Sequence, residues 1–489
     1  MIRIEVKDEG YLYNIYHLVK AFFPSEKVEQ RIFRELKEDA CIHIEGKWTR
    51  YFGTSGAADK KMSKYLLDRK VYEALAEETG HGLAWGILTG VRPTKLAMQK
   101  IEERMEREAF ISWFGKEFFV SEDKAGLAYD IAVREKGILK RLDTRQGYSL
   151  YVGIPFCPSV CSYCSFSSGS ITVWKNVVNI YLNALCKELR YIGSRMGARK
   201  LNTIYIGGGT PTTLEPEQLE RLLTCIDELF SREHLLEYTI EAGRPDSITE
   251  EKLRIIRDHK ATRISINPQT MQQRTLDRIG RRHSTEETIN AFLTAREMGF
   301  DNINMDLIAG LPGETSEDMK DTLRQIKALM PDSLTVHSLA IKRAAKMGQE
   351  KSVLGYVRDL EEQMKDPARM AYEMSRMIAE TKEAADRMEL KPYYLYRQKN
   401  IAGNFENVGY AKVDKAGIYN ILIMEEKQSI VAAGAGASTK LVLPLSVTAP
   451  GGKDGKMTTL KRVENVKNIR EYISRIDEMI ERKGEWLWR

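Results

Sequence analysis

For its size the sequence has little cysteine: six residues in 489, too few to staple a chain this long, which excludes a secreted disulfide scaffold. It has no uncharged apolar run long enough to cross a bilayer. Its opening, Met1-Ile-Arg-Ile-Glu-Val6, alternates as a strand does and does not read as a signal peptide. A cytoplasmic location is expected. Charge of one sign is scarce too: 75 basic against 69 acidic residues leave +6 over the whole chain. That excess is too diffuse for a nucleic-acid-binding footprint, while a local basic pocket for an acidic small molecule stays open. No low-complexity segment is visible, nor any internal repeat beyond a βα alternation. What is present, 43% hydrophobic and 29% charged residues, is a globular composition whose length calls for two or three domains.

The pattern along the chain divides it into three. Residues 1–145 read as an N-terminal α+β domain of unknown role, with strands at Ile2–Val6 and Cys41–Glu45 and a helix over Tyr11–Phe23 between them. Pro93 opens a helical pattern to about Glu108, and Gly90-Val-Arg-Pro-Thr-Lys95 before it stands out without an evident chemistry. Residues 146–345 alternate regularly. Strands are predicted at Ser149–Phe156, Asn202–Ile206, Glu237–Glu241, Arg263–Asn267, Asn302–Ile308 and Ser333–Ala340, with helices at Val177–Ser194, Pro216–Phe230, Thr249–Asp258, Thr285–Met298 and Ser316–Leu329 between them. Six strands in this rhythm indicate a parallel sheet with right-handed crossovers, either open or an incomplete (β/α)6 barrel. Residues 346–489 form a less regular α+β extension expected to close the substrate side. It has a Met-rich helix (Met370–Met388), strand-like Tyr419–Met424 and Ser429–Ala433, a turn at Pro450–Gly455 and a closing amphipathic helix read as core.

Three of the six cysteines fall within eight residues, in Phe156-Cys157-Pro-Ser-Val-Cys161-Ser-Tyr-Cys164, directly after the first barrel strand. Thiolates suit zinc or iron–sulfur clusters. A structural zinc site would need a fourth Cys or His nearby, and the nearest histidine is His234; a zinc site completed from a distant part of the fold, or three unconnected core cysteines, are the alternatives. A cubane cluster usually takes four cysteines, so a set of three leaves one iron open to another molecule. Cys41, Cys186 and Cys225 stand alone and are expected to be buried thiols.

Function in a barrel collects at the C-terminal ends of its strands, and unusual residues gather there. Gly207-Gly-Gly-Thr-Pro211 follows the second strand, where glycines allow a ligand close to the backbone. Glu241, Gln269, Arg281 and Asp306 stand at or beyond strands three to five. An acid there could pair with an ammonium or hydroxyl, and an arginine could clamp a carboxylate.

The three-then-two cysteine spacing, with an aromatic before the last cysteine, resembles the cluster motif of the radical-SAM superfamily. That resemblance implies a 4Fe–4S cluster on Cys157, Cys161 and Cys164 and S-adenosylmethionine on its open iron, cleaved to a 5′-deoxyadenosyl radical. Ile154-Pro-Phe-Cys157, Gly207–Pro211, Asn267-Pro-Gln269, Ile279-Gly-Arg-Arg-His283 and Met305-Asp-Leu-Ile-Ala-Gly-Leu-Pro312 together resemble oxygen-independent coproporphyrinogen III oxidases. On that likeness Tyr151, Tyr163, Gly209, Thr210, Glu241, Gln269, Arg281 and Asp306 correspond to contacts with S-adenosylmethionine. Gly90–Lys95 and Pro392–Asn400 resemble the coproporphyrinogen dehydrogenase branch of the family. The activity implied is oxidative decarboxylation of coproporphyrinogen III to protoporphyrinogen IX in haem biosynthesis. An electron donor such as flavodoxin or ferredoxin is implied as partner. Lys342, Arg343, Arg397 and Lys399 are candidate cations for the substrate's four carboxylates. Ser165-Phe166 after the triad, where the oxidases carry a fourth cysteine, resembles instead the haem-chaperone branch. Haem binding, with His283 or His337 as axial ligand, and radical chemistry on another substrate are therefore the alternatives.

Overall fold

The computed structural model describes residues 1–90, 92–166, 168–340, 367–397, 405–448 and 457–487. Near the N-terminus four strands, β1 (Ile2–Val6), β2 (Val28–Ile32), β3 (Ala40–Ile44) and β4 (Trp48–Phe52), make a sheet in the order β2-β1-β3-β4. Alternation in β1 sends Ile2, Ile4 and Val6 inward, where they form a small core with residues of the helices Glu9–Phe22 and Lys60–Thr79. The next three helices, Thr94–Glu102, Arg107–Phe118 and Glu122–Leu139, belong to another core: their Ala97, Phe110, Phe114 and Ile131 join the large cluster of the main sheet. The single helix expected from Pro93 to about Glu108 is broken, because Arg104 adopts a left-handed φ of 66° and a new helix starts at Arg107.

The main sheet begins with β5 (Gly147–Ile154). Two short strands, β6 (Phe156–Cys157) and β7 (Gly169–Ser170), pair only with each other. Then β8 (Lys200–Gly208), β9 (Glu237–Glu241), β10 (Arg263–Ser265), β11 (Ile303–Ala309) and β12 (Ser333–Ser338) follow β5 as parallel neighbours in chain order. Helices cross between them at the expected positions, for example Pro216–Leu229 and Ser316–Leu329. This is the partial (β/α)6 barrel that the alternation predicts.

The C-terminal segment extends this sheet at both edges. The strands β13 (Lys391–Arg397) and β14 (Glu406–Ala411) pair antiparallel beyond β12, while β15 (Ser429–Ala433) lies parallel beside β5. The long strands β16 (Ser438–Thr448) and β17 (Met457–Glu464) complete an eleven-stranded sheet. Two expectations are corrected here. Tyr419–Met424 is not a strand but part of the helix Ile418–Glu425; its apolar run is ambiguous in period, and partners at both of its ends decide the matter. The closing helix is two, Ile469–Ser474 and Ile476–Leu487, and their Ile469, Tyr472, Ile476 and Met479 are buried in the main core. The expected turn at Pro450–Gly455 lies outside the described residues.

Buried polar contacts tie the loop around Trp85 and the helix Glu122–Leu139 to the C-terminal strands. Fully buried Glu406 of β14 accepts hydrogen bonds from Trp85 Nε1 at 2.7 Å and Lys124 Nζ at 2.6 Å. Arg397 of β13 donates to the Leu88 carbonyl at 2.6 Å and lies over the Trp85 ring. Arg397 is only 2% exposed, so this candidate substrate cation is occupied in holding elements together. Lys342, Arg343 and Lys399 lie outside the described residues. Among the described residues no helix is long and apolar enough to cross a membrane.

Candidate functional site

The cysteine loop is built onto the end of β5 and tied to the far side of the barrel. The Ser162 N–H and hydroxyl both donate to the Ile279 carbonyl, at 3.0 and 3.3 Å, and the Ser159 hydroxyl reaches the Gly280 carbonyl at 3.0 Å. Arg244, almost fully buried and paired with Asp246 at 2.7 Å, donates to Ser159 and stands 3.7 Å from Cys161 Sγ. The Thr210 hydroxyl stands 3.6 Å from Cys157 Sγ. Burial pushes the Cys164 thiol up to about 11 and raises that of Cys157, so without a metal these thiols stay protonated. Cys41, Cys186 and Cys225 are buried, as expected.

The glycine turn folds back onto the cysteine loop. Gly209 N–H donates to the Ile154 carbonyl and Thr210 N–H to that of Phe156, both at 2.7 Å. A Cβ at Gly209 would lie 2.5 Å from the Phe156 carbonyl oxygen, and Gly208 has φ +106°. No other residue fits this turn without moving backbone.

Glu241 ends β9 beneath that turn and accepts a short hydrogen bond from the Tyr205 hydroxyl. Tyr151, Tyr205 and Tyr419 stack, with Tyr205 4.5 Å from Tyr419 and 6.2 Å from Tyr151. Gln269 adopts φ 69°; its N–H donates to the Asp306 carbonyl and its own carbonyl accepts from Ile308, each at 2.9 Å. Backbone strain of this kind persists only where the surroundings impose it, commonly at functional sites. Arg281 donates to the Asn267 carbonyl and, at 3.3 Å, to the Tyr163 hydroxyl, while its Nε is buried without a partner. Asp306 accepts from Asn304 at 2.6 Å and lies 3.8 Å from His337 Nε2. Burial opposes its charge, but His337, Asn304 and Arg263 outweigh burial and hold its carboxyl low.

The three cysteines and the eight positions expected to contact S-adenosylmethionine, eleven in all, therefore lie toward the C-terminal ends of the parallel strands and the loops that follow them. Sequence reasoning missed Arg244, Tyr205, Tyr419 and the partnership of His337 with Asp306 and Tyr396, whose hydroxyl is 3.1 Å from His337 Nδ1. Of these only Arg244, three residues past the end of β9, had a local signal. The other suggested haem ligand, His283, is fully buried with neither ring nitrogen hydrogen-bonded, and burial pushes its pKa down to about 3.

The fit of a thiolate-bound cluster rests on donor chemistry. Three thiols share one loop, two buried arginines neighbour them, and a cradle that excludes Cβ lies alongside. Among the described residues no group of three metal-ligating side chains stands preformed.

Residues 151–326 match the Radical SAM superfamily, so fold and site define a radical SAM protein, whose cofactors are a 4Fe–4S cluster and S-adenosylmethionine. The chain is 39% identical over 434 residues to the oxygen-independent coproporphyrinogen-III oxidase-like protein HemZ of Bacillus subtilis, spanning 87% of this chain and 81% of that one. It therefore belongs to the oxygen-independent coproporphyrinogen-III oxidase-like family. The heme chaperone HemW of B. subtilis is 37% identical over 195 residues, 40% of this chain and 51% of that one. The structure of the Escherichia coli coproporphyrinogen III oxidase HemN superposes with a TM-score of 0.51 at 21% identity, covering 71% of this chain and 73% of that one, a likeness of fold.

The carboxyl of Glu241 titrates in an informative range. Burial and the charge of Asp306 raise it, against the Tyr205 hydrogen bond, to about 7 from an ordinary 4.5. Between those values the unfolded chain has lost a proton that the folded chain keeps, so this group's stabilisation is complete below pH 4.5 and lost as pH rises through 7. In cofactor-free protein, Glu241→Gln is expected to gain about 2 kcal/mol on wild type between pH 4 and pH 8. Urea unfolding across that range checks it, and a constant difference between the two proteins would contradict the assignment.

Proposed function

We propose that Cys157, Cys161 and Cys164 hold three irons of the cluster and that S-adenosylmethionine lies between the glycine turn and Tyr151, Tyr163, Glu241, Gln269, Arg281 and Asp306. On this reading the chain decarboxylates two propionates of coproporphyrinogen III oxidatively, giving protoporphyrinogen IX. One observation carries the reading: three thiols, a glycine cradle and a ring of strand-end polar groups converge at one end of a partial barrel. When bound, the cluster and S-adenosylmethionine would supply one-electron cleavage and, from it, hydrogen abstraction at a propionate β-carbon, after which carbon dioxide and one electron, taken by an external one-electron acceptor, leave to complete each vinyl group.

The chain's own residues bind and orient. Backbone of Gly207–Gly209 approaches the ligand without side-chain hindrance. Asp306, held ionised by His337 and Asn304, is an acceptor for ribose hydroxyls or the ammonium, and Arg281, anchored by Asn267 and Tyr163, is a fixed cation facing the cluster loop. Electrons would come from a small flavin or iron–sulfur protein. We propose also that the chain divides at about 145 and 345, the last part narrowing the substrate side, and that the protein acts in the cytoplasm.

A second reading has its own support. Ser165 and Phe166 follow the triad, with Phe166 71% exposed, and the HemW relative is a heme chaperone. On that reading the site keeps the cluster and binds haem.

The test is anaerobic reconstitution with iron and sulfide, then incubation with S-adenosylmethionine, dithionite and coproporphyrinogen III, followed by mass spectrometry. Protoporphyrinogen IX formed in step with 5′-deoxyadenosine is the expected result. Deoxyadenosine alone, with tight haem binding in a spectroscopic titration, would transfer support to the chaperone. Absence of both would refute each.

A further inference from the structure

The segment Gly90–Lys95 stands out in the sequence, and the site as described gives it no part. In the structure its Arg92 reaches across to the C-terminal end of the helix Ile418–Glu425. Nη1 donates to the Met424 carbonyl and Nη2 pairs with Glu426 at 2.7 Å. Glu426 is the left-handed residue that ends the helix, at φ 53°. Lys440 completes the clamp, donating to the Ile423 carbonyl at 3.0 Å and to Glu426 at 3.1 Å. Two cations thus sit on the last carbonyls of a helix, where the backbone dipole favours them.

The other end of the same helix meets the N-terminal end of β9, on the side away from the cysteine loop, and sends only the Tyr419 ring toward the candidate site. The N–H groups of Ile418 and Tyr419 point at the carboxylate of Glu237 on β9. The ring of Tyr419, 5% exposed, caps the stack on Tyr205 and Tyr151. The glycine turn rests on those groups: a Cβ at Gly207 would meet the Glu241 carboxylate and the Tyr205 ring at 2.8 Å, and one at Gly208 the Tyr151 hydroxyl at 3.1 Å. A helix of eight residues is about 12 Å long and too short to hold its shape alone, so its two ends determine where it lies.

We propose that Arg92 is a positioning residue for S-adenosylmethionine: it sets the helix Ile418–Glu425, and hence the tyrosine stack on which the glycine turn rests. The inference builds on the binding site proposed above. It gives the N-terminal part of the chain a task, that of bracing the cosubstrate floor from behind. Arginine suits the position because its fork serves a carbonyl and a carboxylate at once, whereas lysine offers a single point charge.

The test compares Arg92→Gln, Arg92→Lys and Tyr419→Leu with wild type, and with Arg107→Gln, which removes an exposed pair with Asp130. Amide hydrogen exchange is followed over residues 418–425 in cluster-free protein, and S-adenosylmethionine affinity by equilibrium dialysis after reconstitution. Arg92→Gln is expected to exchange those amides at least about tenfold faster and to bind S-adenosylmethionine about tenfold more weakly at unchanged iron content. Arg92→Lys should recover part of both. Tyr419→Leu should weaken binding similarly while leaving exchange at Met424 and Glu425 as in wild type, and Arg107→Gln should change neither. If wild type binds and Arg92→Gln binds equally well, or its helix exchanges as before, the inference falls and the proposed site stands. If wild type itself does not bind S-adenosylmethionine, the proposed site falls, and the inference with it.

Discussion

Cys161→Ala protein, reconstituted anaerobically, is expected to hold iron and sulfide at background and to cleave no S-adenosylmethionine. A cluster on three thiolates has no donor to spare. With two left on the loop, half or more of the irons would depend on exogenous ligands, and affinity contributed by a third thiolate is lost outright. The fold should survive, because Cys161 is a small side chain 8% exposed and its loop is held by Ser159 and Ser162. Thermal unfolding of the cofactor-free protein should therefore barely move. Cys186→Ala is the matched control: that thiol is buried on the helix Val178–Met196, away from the loop, and its loss should leave iron content intact. Iron and sulfide in Cys161→Ala equal to wild type would remove the basis of the proposed site.

The second large effect is on stability. Lys483→Met is expected to cost about 3–5 kcal/mol in urea unfolding. Glu188 is fully buried and accepts hydrogen bonds from Gly434 N–H at 2.9 Å, Asn465 Nδ2 at 2.9 Å and the Tyr472 hydroxyl at 2.6 Å. Lys483, equally buried, is its counter-ion and also donates to the Ala432 carbonyl. This network fastens the closing helices to the barrel helix Val178–Met196 and to β15. Methionine in place of Lys483 leaves a carboxylate in the core with no cation, which is what makes the loss large. Adding Glu188→Gln should restore more than half of it, since the amide keeps an acceptor without charge. A single substitution costing under about 1 kcal/mol would show that the pair is not desolvated as the structure has it.

The barrel was legible because its evidence is local. Alternating strands and 3.6-residue periodicity predicted Glu237–Glu241, Ser429–Ala433 and Ser316–Leu329 to the residue. The cysteine spacing and the glycine turn are also local, and both stand at strand ends. The expected position of Gln269 is met, but nothing in its neighbourhood announces the left-handed backbone it adopts. The apolar run Ile418-Tyr-Asn-Ile-Leu-Ile-Met-Glu425 fits either period, and it is helical because Glu237 receives one end while Arg92 and Lys440 receive the other. Arg397 read as a candidate cation for the substrate's carboxylates and is buried against Trp85 and Leu88.

By itself, then, the sequence determined the parallel βα architecture, the three-thiol loop and the strand-end polar residues, because each depends on neighbours within a turn or a strand. Only the tertiary structure decided that the C-terminal strands extend both edges of the sheet, that Tyr419 completes the stack with Tyr205 and Tyr151, and that Arg92 meets Met424, 332 residues away. Pairings across such separations leave no periodic trace in a single sequence; they follow from which buried charges and orphan helix ends find one another once the core has closed.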